Sequence, residues 1–229
     1  MQIIDARYEI LDKIDGMEVL KKIERVARTC YKSEDYIKEG SAERLVKSLI
    51  DRGHEAMLEH YSFSIKFICD RGVSHEIVRH RVASFAQEST RYCNYSKDKF
   101  GKELTFIRPC WFNMSAKECG RECNSDTFYD GLRPIVVDVN EFNWLRAMSY
   151  AENHYFNLLR LGWTPEQARS VLPNSIKTEV VMTANLREWR HFLKLRTAQA
   201  AHPQMRELTI PLLKELKEKI PIIFNDIEG

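Results

Sequence analysis

The 229-residue chain has only nine glycines and seven prolines, and they gather into no Gly/Ser-rich or Pro-rich stretch. No segment therefore has the composition of a linker, and a single domain over residues 1–229 is expected. Long hydrophobic runs are missing too, since none approaches the roughly 20 residues that span a bilayer. Residues Met1 to Ile10 alternate charged and apolar side chains and lack the apolar centre of a signal peptide. A cytoplasmic protein with no membrane partner is expected. Nor is there an excess of charge of one sign. The 35 Lys and Arg nearly balance 33 Asp and Glu, and a net charge of +2 gives no global field for nucleic acid. Any cationic chemistry must be local. Finally, Cys30, Cys69, Cys93, Cys110, Cys119 and Cys123 contain no CxxC pair, and the last three bring no obvious fourth ligand. Free thiols and no metal are expected.

What is present is strong periodicity. Val19, Leu20, Ile23, Val26 and Ala27 recur at helical spacing, which predicts an amphipathic helix over 17–31. Leu45, Leu49 and Ile50 repeat the pattern over 41–52, before Gly53 stops it. Phe63, Ile65 and Phe67 alternate with polar neighbours, so Tyr61 to Cys69 reads as a strand. Gly72 is expected to break that run, with a helix following from about Ser74 to Ala83. Residues 94–135 are polar and weakly periodic and read mainly as loop, with one short strand near Leu104 to Ile107. A long helix is expected over 139–161, ending at Gly162. A short helix opens at Pro165, where the missing N–H is not needed. A strand over 175–184 and helices at 186–197 and 203–219 complete the chain. The sum is an α+β fold, helices packed around a small, mostly antiparallel sheet.

The densest chemistry lies at residues 79–91. Arg79, His80 and Arg81 are adjacent, and on a helix successive side chains point about 100° apart. At least one of the three must point inward or at a ligand, where an unpaired charge is costly and a bound polyanion would compensate it. Arg suits bidentate contact with phosphate. Gln87, Glu88, Ser89 and Arg91 follow as a row of donors and acceptors suited to a nucleotide. A solvated helix end with surface ion pairs is the plainer alternative for the same residues, and a nucleic-acid-binding module is another. Against nucleic acid, the cluster is short and no basic stripe continues it. Ser89 has no His or Lys base beside it in sequence, so a binding role suits it better than a nucleophilic one. His54 and His60 are six residues apart, about 240° around a helix, which is poor for joint metal ligation. A helix-capping or core role is expected of His60.

Arg79-His80-Arg81, two residues, Ser84, four residues, Ser89, one residue and Arg91 match the pattern RHRxxSxxxxSxR. In this the chain resembles the flavin-dependent thymidylate synthases. Residues 53–60 (GHEAMLEH), 165–173 (PEQARSVLP) and 185–196 (NLREWRHFLKLR) resemble further segments of that family, in its order.

The resemblance implies reductive methylation of dUMP to dTMP. FAD would be the cofactor, with NADPH and methylene-tetrahydrofolate as co-substrates, in a homotetramer whose active sites lie at subunit interfaces. It also implies an FAD site of His54, Ala56, Glu59, Arg79, His80, Arg81, Gln87, Asn185, Arg187 and His191. The dUMP site would take Glu76, Arg79, Gln87, Glu88, Ser89, Thr90, Arg91, Arg169 and Arg196. Among the residues the resemblance places at dUMP, Arg196 is the candidate for the catalytic cation. Uracil C5 must become nucleophilic, and a permanent positive charge at the pyrimidine stabilises the charge that makes it so. The chain departs from the family's commoner residues at Cys30, Ala56, Glu76 and His191. A nucleotide-binding flavoprotein without methylation activity is the alternative these departures raise.

Overall fold

The computed structural model describes residues 1–98, 101–123 and 138–229. Among the described residues there are six strands: β1 (Gln2–Ile4), β2 (Arg7–Ile10), β3 (Ser62–Asp70), β4 (Ala83–Gln87), β5 (Thr105–Ile107) and β6 (Lys177–Asn185). Strands β2, β3, β6 and β4 form one sheet in that order, mostly antiparallel, while β1 and β5 pair in parallel with Gln2 opposite Thr105. The helices are α1 (Gly16–Thr29), α2 (Ser41–Asp51), α3 (Arg71–Ile77), α4 (Ala116–Cys123), α5 (Val139–Arg160), α6 (Pro165–Ala168), α7 (Leu186–Arg196), α8 (Pro203–Lys219) and α9 (Pro221–Phe224). The fold is α+β, as the periodicity requires. None of the described helices is long and apolar enough to cross a membrane.

The chain divides into two compact units. One comprises residues 1–7, 68–75 and 87–180. Its core gathers Phe106 and Leu104 with Phe142, Leu145, Met148 and Tyr155 of α5 and the buried thiols Cys119 and Cys123 of α4. Asp138 caps α5 by accepting from the N–H groups of Asn140 and Glu141. Gly162 ends it with φ +94, a left-handed turn that favours glycine. Thr164 and Gln167 form a reciprocal capping box around Pro165 at the start of α6.

The other unit comprises residues 8–67, 76–86 and 181–229. Phe63, Ile65 and Phe67 of β3 are fully buried, on the face that alternation predicts. Trp189 stacks on Phe63 at 5.1 Å and donates Nε1–H to the Phe63 carbonyl, while Phe192 meets Phe67 at 6.0 Å. These contacts fix α7 against the strand. In α2 the buried positions are Ser41, Ala42 and Val46; Leu45, Leu49 and Ile50 are half-buried beside them.

Three expectations are corrected. Gly72 does not break the chain into a later helix, because α3 starts at Arg71. Asp70 accepts from the Val73 N–H at 2.7 Å, and a side chain at position 72 would come within 3.1 Å of the Asp70 carboxylate, so Gly72 permits the cap. The helix expected over 74–83 therefore ends at Ile77. His80 N–H then bonds back to the Ile77 carbonyl in a turn, and Ala83–Gln87 is a strand. Second, the segment read mainly as loop contains α4, where Ser115 and Glu118 bond reciprocally across the first turn. The rest of that expectation, at residues 99–100 and 124–135, lies outside the described residues. Third, His60 is exposed at the end of a 3-10 turn spanning Glu55–His60, so it has no core role.

Candidate active site

In the unit of residues 8–67, 76–86 and 181–229, an open cleft of about 430 Å³ runs along α7. Asn185, Glu188 and His191 recur every three residues and so share the helix face that lines it. Arg187, Arg190 and Lys194 supply cations, Glu55 and Glu59 of the 3-10 turn supply carboxylates, and Val82 supplies apolar surface. The volume falls within the range of small-molecule sites. Asn185 caps α7, its side-chain oxygen accepting from the Glu188 N–H at 2.9 Å. Arg187 pairs with Glu59 at 2.6 Å on the surface.

His54 and Ala56 are exposed at the start of the 3-10 turn, where Gly53 (φ +70) redirects the chain. Arg79 and Arg81 are exposed, and among the described residues neither makes an ion pair. Between them His80 is buried. One of the three adjacent groups thus points inward, although they sit on a turn and not on a helix. Arg190 is buried, and holds Glu55 at 3.0 Å and Asp226 at 2.7 Å in both of its forks, with a further bond to the Ile223 carbonyl. Burial works against its charge, but the Asp226 and Glu55 hydrogen bonds outweigh it and raise its pKa.

Arg196, at the end of α7, is held on three sides. Its Nε–H donates to His80 Nε2 at 3.1 Å, Nη1 donates to Glu76 Oε2 at 2.8 Å, and Nη2 donates to the Glu76 carbonyl at 3.0 Å. Two of its five donors remain for a ligand. The guanidinium is thus fixed, permanently charged and partly presented.

The unit of residues 1–7, 68–75 and 87–180 carries the other part of the signature. Gln87 donates its amide to Ser74 Oγ at 2.8 Å and to Thr178 Oγ1 at 3.3 Å. Thr90 is buried and accepts from Arg169 at 3.3 Å. The Ser89 carbonyl accepts from the Cys93 N–H at 2.9 Å, and Arg91 lies exposed over the Tyr92 ring. Arg91 and Arg169 leave most of their donors for an anion. Glu88 is arranged differently from its neighbour. It accepts from Tyr95 at 2.9 Å and from Lys177 at 3.1 Å, on the strand face opposite Thr178. The side chains of Gln87 and Glu88 therefore diverge, and a ligand held by Gln87 would meet only the backbone of residue 88.

Sequence reasoning missed Glu188, Glu55, Arg190 and Lys194. Glu188 had a signal, since it stands three residues after a capping Asn, where a capping-box acid is expected. Its carboxylate goes instead to His80 Nδ1 at 2.9 Å. His80, Glu188 and His191 bring potential ligand atoms within 4.8 Å of one another. A cation there would have to displace the bond at whichever His80 nitrogen it took and face the Arg196 charge, so the cluster suits hydrogen bonding better than metal ligation.

An α+β fold with a cleft lined by both acids and bases, beside Arg79 and Arg81 that make no ion pair among the described residues, defines a protein with a small-molecule site suited to charged ligands. The chain belongs to the family described as thymidylate synthase complementing protein, whose model matches residues 12–222. It is 29% identical over 213 residues to a flavin-dependent thymidylate synthase of Corynebacterium diphtheriae, covering 90% of this chain and 78% of that one. It is 32% identical over 208 residues to the enzyme of that description from Geobacter sulfurreducens, covering 87% and 78%. The Pyrococcus furiosus relative is 32% identical over 189 residues, covering 82% and 67%.

Proposed function

We propose that this chain is a flavin-dependent thymidylate synthase, a methyltransferase that converts dUMP to dTMP in thymidylate biosynthesis. Methylene-tetrahydrofolate donates the carbon, and FAD reduced by NADPH is the hydride source. The observation that carries the reading is the fixed guanidinium of Arg196 at the end of the helix that lines the cleft. FAD, when bound, supplies the hydride that completes the methyl group.

The protein's own residues hold and polarise. His54, Ala56, Glu59, Arg79, Arg81, Gln87, Asn185, Arg187 and His191 bind the cofactor. Residues present fit an anionic dinucleotide: Arg79 and Arg81 are exposed cations without an ion pair among the described residues, beside Val82 of the cleft wall. Arg91 and Arg169 bind the dUMP phosphate, with Glu76, Gln87, Ser89, Thr90 and the backbone of Glu88 at the sugar and base. Arg196 places its two unused N–H groups against the pyrimidine and stabilises the negative charge that makes C5 nucleophilic. The active form is a cytoplasmic homotetramer with active sites assembled from several subunits.

The test is a visible absorption spectrum of the purified protein, repeated after dithionite and then after dUMP, together with folate-dependent tritium release from C5-labelled dUMP. An oxidised-flavin band that bleaches and shifts with dUMP, with tritium released, is expected. A protein that neither carries flavin nor takes up added FAD overturns the reading.

A further inference from the structure

The hydrogen bonds around His80 fix its tautomer. Arg196 Nε carries a hydrogen at every working pH, so His80 Nε2, 3.1 Å away, must be the acceptor. The ring's only proton then sits on Nδ1 and is donated to Glu188 at 2.9 Å. Both nitrogens of a side chain only 4% exposed are thereby engaged within the protein. Phe192 closes one side of the ring at 4.9 Å and His191 another at 5.6 Å. His80 has no nitrogen left for a cofactor. What it does have is a lone pair that sets the direction of the Arg196 guanidinium, opposite the grip of Glu76.

We infer that Glu188 and His80 are positioning residues that act in series: Glu188 holds the Nδ1–H tautomer of His80, and neutral His80 aims Arg196 at the pyrimidine. This rests on the proposed role of Arg196 and revises the assignment of His80 from cofactor ligand to positioning residue. It also assigns Glu188 a role beyond helix capping. The relay has a required protonation state. An imidazolium would present an N–H to the Arg196 N–H and set two cations side by side. Burial disfavours that form first, the Glu188 hydrogen bond and charge favour it, and the charges of Arg196 and His191 oppose it, with a net lowering. Glu76 on α3 and Glu188 on α7 are the acids facing the pair, and Arg79 and Arg81 flank His80 on its own turn.

The sign follows. A lowered pKa means that folding favours neutral His80. The relay is intact above the ordinary histidine range near 6.5, and it is lost as pH falls through the lower folded value.

Four variants of the flavin-loaded protein test this: His80→Leu, His80→Gln, Glu188→Gln and Arg196→Ala. The glutamine oxygen in His80→Gln replaces the Nε2 acceptor. We expect His80→Leu to lower kcat roughly 30-fold with unchanged flavin occupancy, because misaiming a catalytic group by about 1 Å costs up to about 100-fold. His80→Gln should return kcat to within about fivefold of wild type. Glu188→Gln removes the charge that favours imidazolium, so the acid limb of its kcat profile should move to lower pH. A readout free of turnover is the 19F resonance of bound 5-fluoro-dUMP. It should shift in His80→Leu in the same direction as in Arg196→Ala and return in His80→Gln. Loss of flavin from both His80 variants with a wild-type 19F resonance would instead make His80 a cofactor ligand and overturn the relay, as would an unmoved acid limb in Glu188→Gln. Failure of the wild-type protein to bind 5-fluoro-dUMP overturns the thymidylate synthase reading itself, which separates the two.

Discussion

Arginine placement sorts the candidate residues by the work they can do. Arg196 is held by three bonds to two residues, whereas Arg79, Arg81 and Arg91 have no ion-pair partner among the described residues. A fixed cation can act as an electrostatic stabiliser at no reorganisation cost, and a free one is available to grip a phosphate. Arg196→Ala is therefore expected to retain flavin and to lose kcat by about 10²–10³. Near wild-type turnover in single-turnover assays of that variant would remove it as the uracil activator. Arg81→Ala should act on the cofactor instead. We expect its FAD dissociation constant to rise about tenfold, the loss of one charge-assisted contact, as read by flavin fluorescence during dialysis. An unchanged constant removes Arg81 from the cofactor site. At this scale the signature was legible because its residue types are costly without partners. The partners were not legible: Glu188 lies 108 positions from His80, and Glu76 lies 120 from Arg196. Nothing local marks such pairs.

At the scale of elements, α7 does two jobs. Its face of Asn185, Glu188 and His191 lines the cleft, while Trp189 and Phe192 anchor it on β3. Arg190, between those faces, ties the 3-10 turn of Glu55 and the tail at Asp226 to the helix. Removing one member of a buried ion pair costs about 3–5 kcal/mol. Asp226 and Glu55 stay partly solvated, so Arg190→Leu is expected to cost less, about 2–3 kcal/mol, lowering the melting temperature by roughly 5–10 °C. The same variant should weaken FAD binding, because the turn it releases carries His54 and Glu59. Calorimetry showing an unchanged melting temperature would refute the clasp.

Regular elements with clear periods, such as β3 and α1, could be read from sequence with their buried faces. Two failures have physical causes. Arg and His side chains drew residues 79–83 into a helix, although Ala83 to Gln87 alternate in exposure with period two. Within 94–135, a polar composition with weak periodicity masks a capping box at Ser115 and Glu118, which is followed by Cys119 and Cys123 one turn apart on the buried face. Burial raises those thiols, Cys119 to about 11 and Cys123 to about 12, so they behave as small apolar side chains.

On the scale of the whole molecule, the near-zero net charge leaves binding to local sites, and under the proposed homotetramer those sites are completed by the assembly. A homotetramer with shared active sites makes a demand that a self-sufficient protomer does not. Arg91→Ala and Arg196→Ala should each be inactive alone, one for want of a phosphate ligand and the other of the uracil cation. If different protomers supply the two arginines to one site, co-expressing the variants under separate tags creates sites that contain both wild-type residues. Random assembly places both in about a quarter of the sites, so purified mixed oligomers should regain up to about a quarter of wild-type activity. Light scattering should give a mass about four times 26.9 kDa. If one protomer supplies both arginines, every site in the mixture lacks one of them and activity stays at the level of the single variants. That outcome, in oligomers shown to be mixed, would reject shared sites for these two residues and place the whole pyrimidine and phosphate grip within one chain.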